Sequence, residues 1–165
     1  ALVVGNSTYQ NVSRLQNPKS DAELVADTLQ RLGFALVGGR AQVDLDKAGF
    51  DTAIQRFGSQ LIGADVALFY YAGHGIEVNG TNYLIPVDAK LKTDRAVRFE
   101  AVPLDAVLAS VEAAHKLHLV ILDACRDNPF LRDMTRTVAS RSGLARRSRP
   151  FTRASSSGTE NGLTI

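Results

Sequence analysis

The chain has 165 residues, is 45% apolar and carries a formal net charge of +2, the size and balance of a single globular domain. Its one cysteine excludes an intrachain disulfide and a zinc cluster built on cysteines. No apolar run approaches the roughly 18 residues needed to span a membrane, and the opening Ala1-Leu2-Val3-Val4 is strand-like rather than a signal peptide.

Ala1 to Gly5 reads as a first strand that leaves through the turn-forming Gly5-Asn6-Ser7. Asn17-Pro18 starts a helix, since proline is tolerated in the first turn. Ser20-Asp21-Ala22-Glu23 also fits a capping box, which makes Ser20 an alternative start. Leu24, Val25, Thr28, Leu29 and Leu32 form its expected apolar face, and Gly33 ends it. Phe34 to Val37 is expected to be a short second strand before the Gly38-Gly39 turn. Phe50, Ile54, Phe57 and Leu61 recur at helical spacing, with Gly63 beyond them.

Val66 to Ala72 is a third strand that runs into Gly73-His74-Gly75. Ile76 to Leu84 is a hairpin by its Asn79-Gly80 turn. Pro103 opens a further helix, with Leu104, Val107, Leu108 and Val111 inward. Leu117 to Asp123 is a fourth strand, leading to Ala124-Cys125-Arg126. The third and fourth strands have the unbroken apolar character of strands covered on both faces. Alternating strands and helices predict an α/β sandwich around a mainly parallel sheet.

After Phe130 the character changes. Arg132, Arg136, Arg141, Arg146, Arg147, Arg149 and Arg153 crowd a stretch rich in Ser and Gly with almost no apolar periodicity. Residues 132–160 are therefore expected to be a flexible linker. Leu163-Thr164-Ile165 reads as a strand cut off as it begins. With no initiator Met, the sequence is expected to be a piece of a longer protein, and a cytoplasmic location is expected.

In open parallel sheets, chemistry collects beyond the carboxyl ends of the strands. Two strands here would bring one histidine and one cysteine to that edge. Cys125 is either a buried core cysteine or a thiol at a strand exit, reactive as thiolate. His74 is either a structural histidine or a base, and its glycine neighbours allow close backbone approach. The amides of Gly75 and Cys125 could then form an oxyanion hole. Asp123 is either a strand-end acid bonding loop amides or the acid of a pocket selecting a cationic side chain. Asp21 is either a first-turn acid favoured by the helix dipole or a second pocket acid. His115, at a helix end, and His118, at a strand start, are read as structural.

Tyr71-Ala72-Gly73-His74-Gly75 with Asp123-Ala124-Cys125-Arg126 resembles the caspase-fold cysteine peptidases of clan CD, family C14. His74 and Cys125 stand 51 positions apart, close to the roughly 50 of caspases. The resemblance covers most of residues 1–130. Caspases carry Gln where Asp123 stands, and they use arginines to hold a substrate aspartate. Near that loop the chain offers only Arg14, and then Asp21. The motifs are more similar to paracaspases and their bacterial relatives, the orthocaspases, than to metacaspases, which typically show Tyr-Ser-Gly-His-Gly and Asp-x-Cys-His.

The resemblance implies a three-layer α/β/α sandwich, with residues 1–131 as the large-subunit (p20-like) catalytic domain. It makes 132–160 an intersubunit linker and 161–165 the start of a small-subunit (p10-like) strand. It implies a Cys125–His74 dyad that cuts after Arg or Lys, with Asp21 and Asp123 lining S1 and a third acid in the small-subunit region. Self-cleavage would fall after Arg141, Arg146, Arg147, Arg149 or Arg153. Expected partners are peptide or protein substrates with P1 Arg or Lys, the protein's own small-subunit segment and a second copy in a homo-oligomer. No nucleic acid or membrane is expected as a partner. No metal or other cofactor is expected: calcium dependence is known in metacaspases, but no ligand cluster stands out here. The rival reading is a catalytically silent caspase-like module for protein interaction. A nucleic-acid arm in the Arg-rich tail is weaker, because only Phe130 and Phe151 supply aromatics there.

Overall fold

The structure, a computed structural model, describes residues 1–125, 129, 130, 134, 140–142 and 161–164. Its strands are β1 (Leu2–Gly5), β2 (Gln42–Val43), β3 (Val66–Val78), β4 (Thr81–Leu84), β5 (Val102–Pro103), β6 (Leu117–Cys125), β7 (Ser140–Ser142) and β8 (Asn161–Thr164). Its helices are α1 (Pro18–Arg31), α2 (Lys47–Gln60), α3 (Val97–Glu100) and α4 (Leu104–Val111).

The fold is an α/β arrangement on a mixed sheet. Strands β2, β1, β3, β6 and β8 lie side by side, all parallel. Past His74, β3 runs on without a break and becomes antiparallel, with β4 on one edge and β7 on the other. β5 extends that antiparallel part beyond β4. Val78 pairs with Thr81 across Asn79-Gly80, and both turn residues take the positive φ that a tight hairpin needs.

Alternation along β3 sorts its side chains between two cores. Leu68, Tyr70 and Ala72 join Val3 of β1 and Ala22, Ala26 and Leu29 of α1. Phe69 and Tyr71 join Leu2 and Val4 of β1, Phe50 and Phe57 of α2, and Val107 and Val111 of α4. Helices thus cover both faces of the strand, which is why twelve of its thirteen residues are buried and its sequence does not alternate. Full burial of rings such as Phe50 and Phe57 stabilises by about 1.5–3 kcal/mol each. α2 starts at Asp46, whose side chain accepts from the Gly49 N–H at 2.7 Å.

Three expectations need correction. α1 starts at Pro18, and it buries Pro18, Ala22, Ala26 and Leu29, while Leu24 and Leu32 are 64% and 70% exposed. The cause is close approach. A Cβ on Gly5 would overlap the Pro18 carbonyl oxygen and come within 2.6 Å of the Ala22 Cβ. Only small residues fit that contact, so the bulkier leucines turn outward. The expected strand at 34–37 is absent. The chain instead makes a 3-10 turn over Val37–Gly39, with Gly38 at φ 69°, and the edge beside β1 is taken by Gln42–Val43. His115 does not end a helix, since α4 stops at Val111.

The stretch expected as a linker contains one described strand. Ser140–Ser142 pairs antiparallel with Ile76–Val78 as β7. Ser-Arg-Ser has no apolar alternation to announce it, and the open edge of β3 opposite β4 supplies the partner. Arg132, Arg136, Arg146, Arg147, Arg149 and Arg153 lie outside the described residues. None of the described helices is long and apolar enough to cross a membrane.

Candidate active site

Strand register brings the two motifs together. β3 and β6 pair as Ala72↔Asp123, Gly73↔Ala124 and His74↔Cys125. β6 thus extends through Cys125, where sequence reading ended it at Asp123. Neighbouring strands are about 4.8 Å apart, so the backbones of His74 and Cys125 are direct neighbours. Arg126 and Asp127 lie outside the described residues.

The His74 peptide is clamped by two phenols. Its N–H donates to the Tyr9 hydroxyl at 2.8 Å, and its carbonyl accepts from the Tyr71 hydroxyl at 2.7 Å. The hydroxyls stand 3.3 Å apart. Both need the space that Gly73 leaves: a Cβ there would come within 2.5 Å of the Tyr71 hydroxyl and 2.7 Å of the Tyr9 hydroxyl. Of the two glycines flanking His74, Gly73 is therefore the one whose missing side chain shapes the site. Gly75 continues β3 opposite Leu84.

The imidazole is only 5% exposed and lies against the Tyr9 ring, centroids 4.5 Å apart. Its Nε2 is 3.1 Å from the Ser13 carbonyl oxygen. A carbonyl can only accept, so Nε2 carries the proton and Nδ1 keeps the lone pair. That Nδ1 is buried and has no hydrogen-bond partner among the described residues. Buried polar atoms are nearly always satisfied, so an orphan of this kind points to function.

Ser13 sits on the loop between β1 and α1, and that loop is pinned. Asp44 accepts from the Ser7 and Thr8 N–H groups at 2.8 Å each. Asn11 donates to the carbonyls of Asp88 and Ala89. Sequence reading found neither Tyr9, Tyr71 nor the Ser13 carbonyl. A main-chain carbonyl leaves no residue-type signal, and the two tyrosines pass as core.

Burial pushes the His74 pKa below its usual 6.5, and the bond to Ser13 opposes this only in part. The unfolded chain then binds more protons between the folded pKa and 6.5. The stability gained from this neutral histidine is complete above 6.5 and is lost as pH falls through the folded value. An NMR titration should show His74 titrating below 6.5, with the Nε2-protonated tautomer above. A pKa at or above 6.5 would remove burial as the controlling influence.

Asp123 is exposed and Asp21 half-buried. Tyr70 ties them together. Its hydroxyl pKa is pushed up to about 12, by burial first and then by the negative charges of Asp123 and Asp21. Both acids therefore lie within electrostatic reach of one phenol, on the face of β3 that carries Tyr70, Ala72 and His74. The other candidates stand apart. His118 pairs with Ala67, seven residues down β6 from Cys125, and its Nε2 bonds the Ala114 carbonyl. His115 and Arg14 are exposed.

A separate cleft of about 600 Å³ between α1 and β2 is lined by Lys19, Glu23, Asp27, Arg40 and Gln42, and no candidate site residue lines it. Among the described residues no group of three or more His, Cys, Asp or Glu could hold a metal ion.

The family model for the caspase domain, peptidase family C14, matches residues 1–162. The chain belongs to the caspase-domain family. The human mucosa-associated lymphoid tissue lymphoma translocation protein 1 is 34% identical over 89 residues, 54% of this chain and 10% of the human protein. The mouse homologue matches with the same identity and coverage. The matched stretch thus spans about a tenth of the length of these relatives. Family membership makes this a caspase domain of peptidase family C14.

Proposed function

We propose that the protein is a paracaspase-like cysteine endopeptidase that cuts after Arg or Lys through a Cys125–His74 dyad. The observation that carries this reading is the buried His74 Nδ1, without a hydrogen-bond partner among the described residues, beside the backbone position of the chain's one cysteine. In the reaction, Nδ1 takes the Cys125 thiol proton, and the thiolate attacks the scissile carbonyl carbon. The tetrahedral oxyanion is held by the Gly75 and Cys125 amides, and the imidazolium then protonates the leaving amine. The Ser13 carbonyl holds the ring by Nε2–H through both transfers. Asp21 and Asp123 take the P1 cation. A catalytically silent module is not favoured, since both reacting residues are present and paired in register.

A peptide panel differing only at P1 tests this most directly. Arg and Lys peptides should be hydrolysed by the wild type and Asp peptides should not. Absence of turnover on every peptide would remove the peptidase reading and leave the interaction module.

In this proposal the protein is a three-layer α/β/α sandwich, residues 1–131 are its large-subunit part and 132–160 join it to a small subunit. Self-cleavage is then expected after Arg146 or Arg147, where Ser, Gly and Ala surround the pair. Arg141 is the poorer candidate, because its backbone is engaged in β7 opposite Glu77 and proteases need an accessible extended chain. New N-termini mapped by mass spectrometry in the full natural chain should appear at 147 or 148 and vanish in Cys125→Ala. Equal cutting in that variant, without added protease, would refute self-processing.

A further inference from the structure

We propose that the Tyr70 hydroxyl is the floor of the acid-lined pocket and discriminates guanidinium from ammonium side chains; this rests on the peptidase reading above. His74, Ala72 and Tyr70 follow one another at two-residue steps along one face of β3. Each step is about 7 Å along the strand. Ala72, between the histidine and the phenol, has only a methyl group and lets α1 pack close against this face. Asp123 is the register partner of Ala72 on β6. Asp21 arrives from α1, whose Ala22 shares a core cluster with Tyr70 and Ala72. Asp123 beside Ala72, Asp21 on the first turn of α1 and the Tyr70 phenol thus share the face of β3 that leads away from His74.

The phenol is chemically suited to this place. It is 6% exposed and, with its pKa near 12, keeps its proton at any working pH. Its O–H can donate to one carboxylate, while its oxygen accepts an N–H from the bound cation. A guanidinium has five N–H donors in a planar fork and can serve two carboxylates and a phenol at once. An ammonium is a point charge with three donors and reaches fewer of them. Tyr70 should therefore favour Arg over Lys without touching the reacting atoms.

The test has two arms. In the first, Tyr70→Phe keeps the ring and removes the hydroxyl. For P1 Arg peptides kcat/KM should fall about tenfold, carried by KM, the loss expected for one hydrogen bond to a charged group. For P1 Lys peptides it should fall by less than about threefold, so the Arg-to-Lys ratio narrows. Equal loss on both peptides, or an unchanged ratio, overturns the proposal. The second arm needs no turnover. Ultraviolet titration of the intact protein should show a high-pH phenolate transition that is missing in Tyr70→Phe. That transition should move down in Asp123→Asn and in Asp21→Asn. If it stays in place in both, the acids and the phenol do not share a pocket and the proposal fails. If the wild type cuts neither Arg nor Lys peptides while the transition moves, the peptidase reading has failed and the shared pocket stands.

Discussion

Cys125→Ala should reduce peptide hydrolysis to background, and His74→Ala should lower kcat/KM by about 10³-fold or more. The size of the second effect follows from the role assigned to the ring. A positioned acid–base group contributes about 10² to 10⁴, and His74 here would serve both in forming the thiolate and in protonating the leaving amine. Residues that act as one unit are not additive, so the double variant should be no worse than Cys125→Ala alone. Alkylation of Cys125 by iodoacetamide gives an independent reading. It should slow markedly in His74→Ala, because the thiolate is the reactive form and its base is gone. The buried ring also bonds Ser13 and lies against Tyr9, so His74→Ala will cost stability as well. Thermal melts must show the variant folded at the assay temperature. A Cys125→Ala protein that still turns over peptide would end the nucleophile assignment, whatever His74 does.

The two arms of this site were legible in the sequence for a simple reason. Strands covered on both faces read as unbroken apolar runs, so a polar residue at the end of such a run is conspicuous. His74 and Cys125 are those residues, and register pairs them directly. The Asn79-Gly80 turn was legible because few sequences tolerate positive φ at two successive positions. What stayed hidden depends on distance in space. The buried face of α1 was misread because side-chain size was taken as the signal, while the contact at Gly5 selects for smallness. Phe34 to Val37 has strand-like composition, yet the edge beside β1 went to Gln42–Val43. Tyr9 meets His74 across 65 residues, and Ser13 does so through its main chain. Such contacts have no local pattern. Tyr70 was read as one more apolar strand residue, and the charges of Asp123 and Asp21 that add to burial in raising its pKa come from β6 and α1, with no local pattern to announce them.

Asp123→Asn should lower kcat/KM on P1 Arg peptides by on the order of 10²-fold, while peptides with a neutral P1 residue change by less than about threefold. The substitution keeps the shape and removes the charge. Removing one partner of a desolvated charge pair typically costs about 2–5 kcal/mol. Asp123 is exposed before substrate binds and is desolvated only by the incoming side chain, which places the effect toward the lower end of that range. Asp21→Asn should act in the same direction but less, since this acid also answers the dipole of α1 from its first turn. Because both acids lie near solvent, the Arg rate should fall with added salt, and it should fall less steeply in Asp123→Asn. If Asp123→Asn depresses Arg and neutral substrates equally, the carboxylate supports the strand end and not the pocket. A wild type that prefers P1 Asp would be a different enzyme. An acid facing two acids has no compensating partner, so that result would shift specificity from the Asp21–Asp123 pair to Arg14 on the β1–α1 loop.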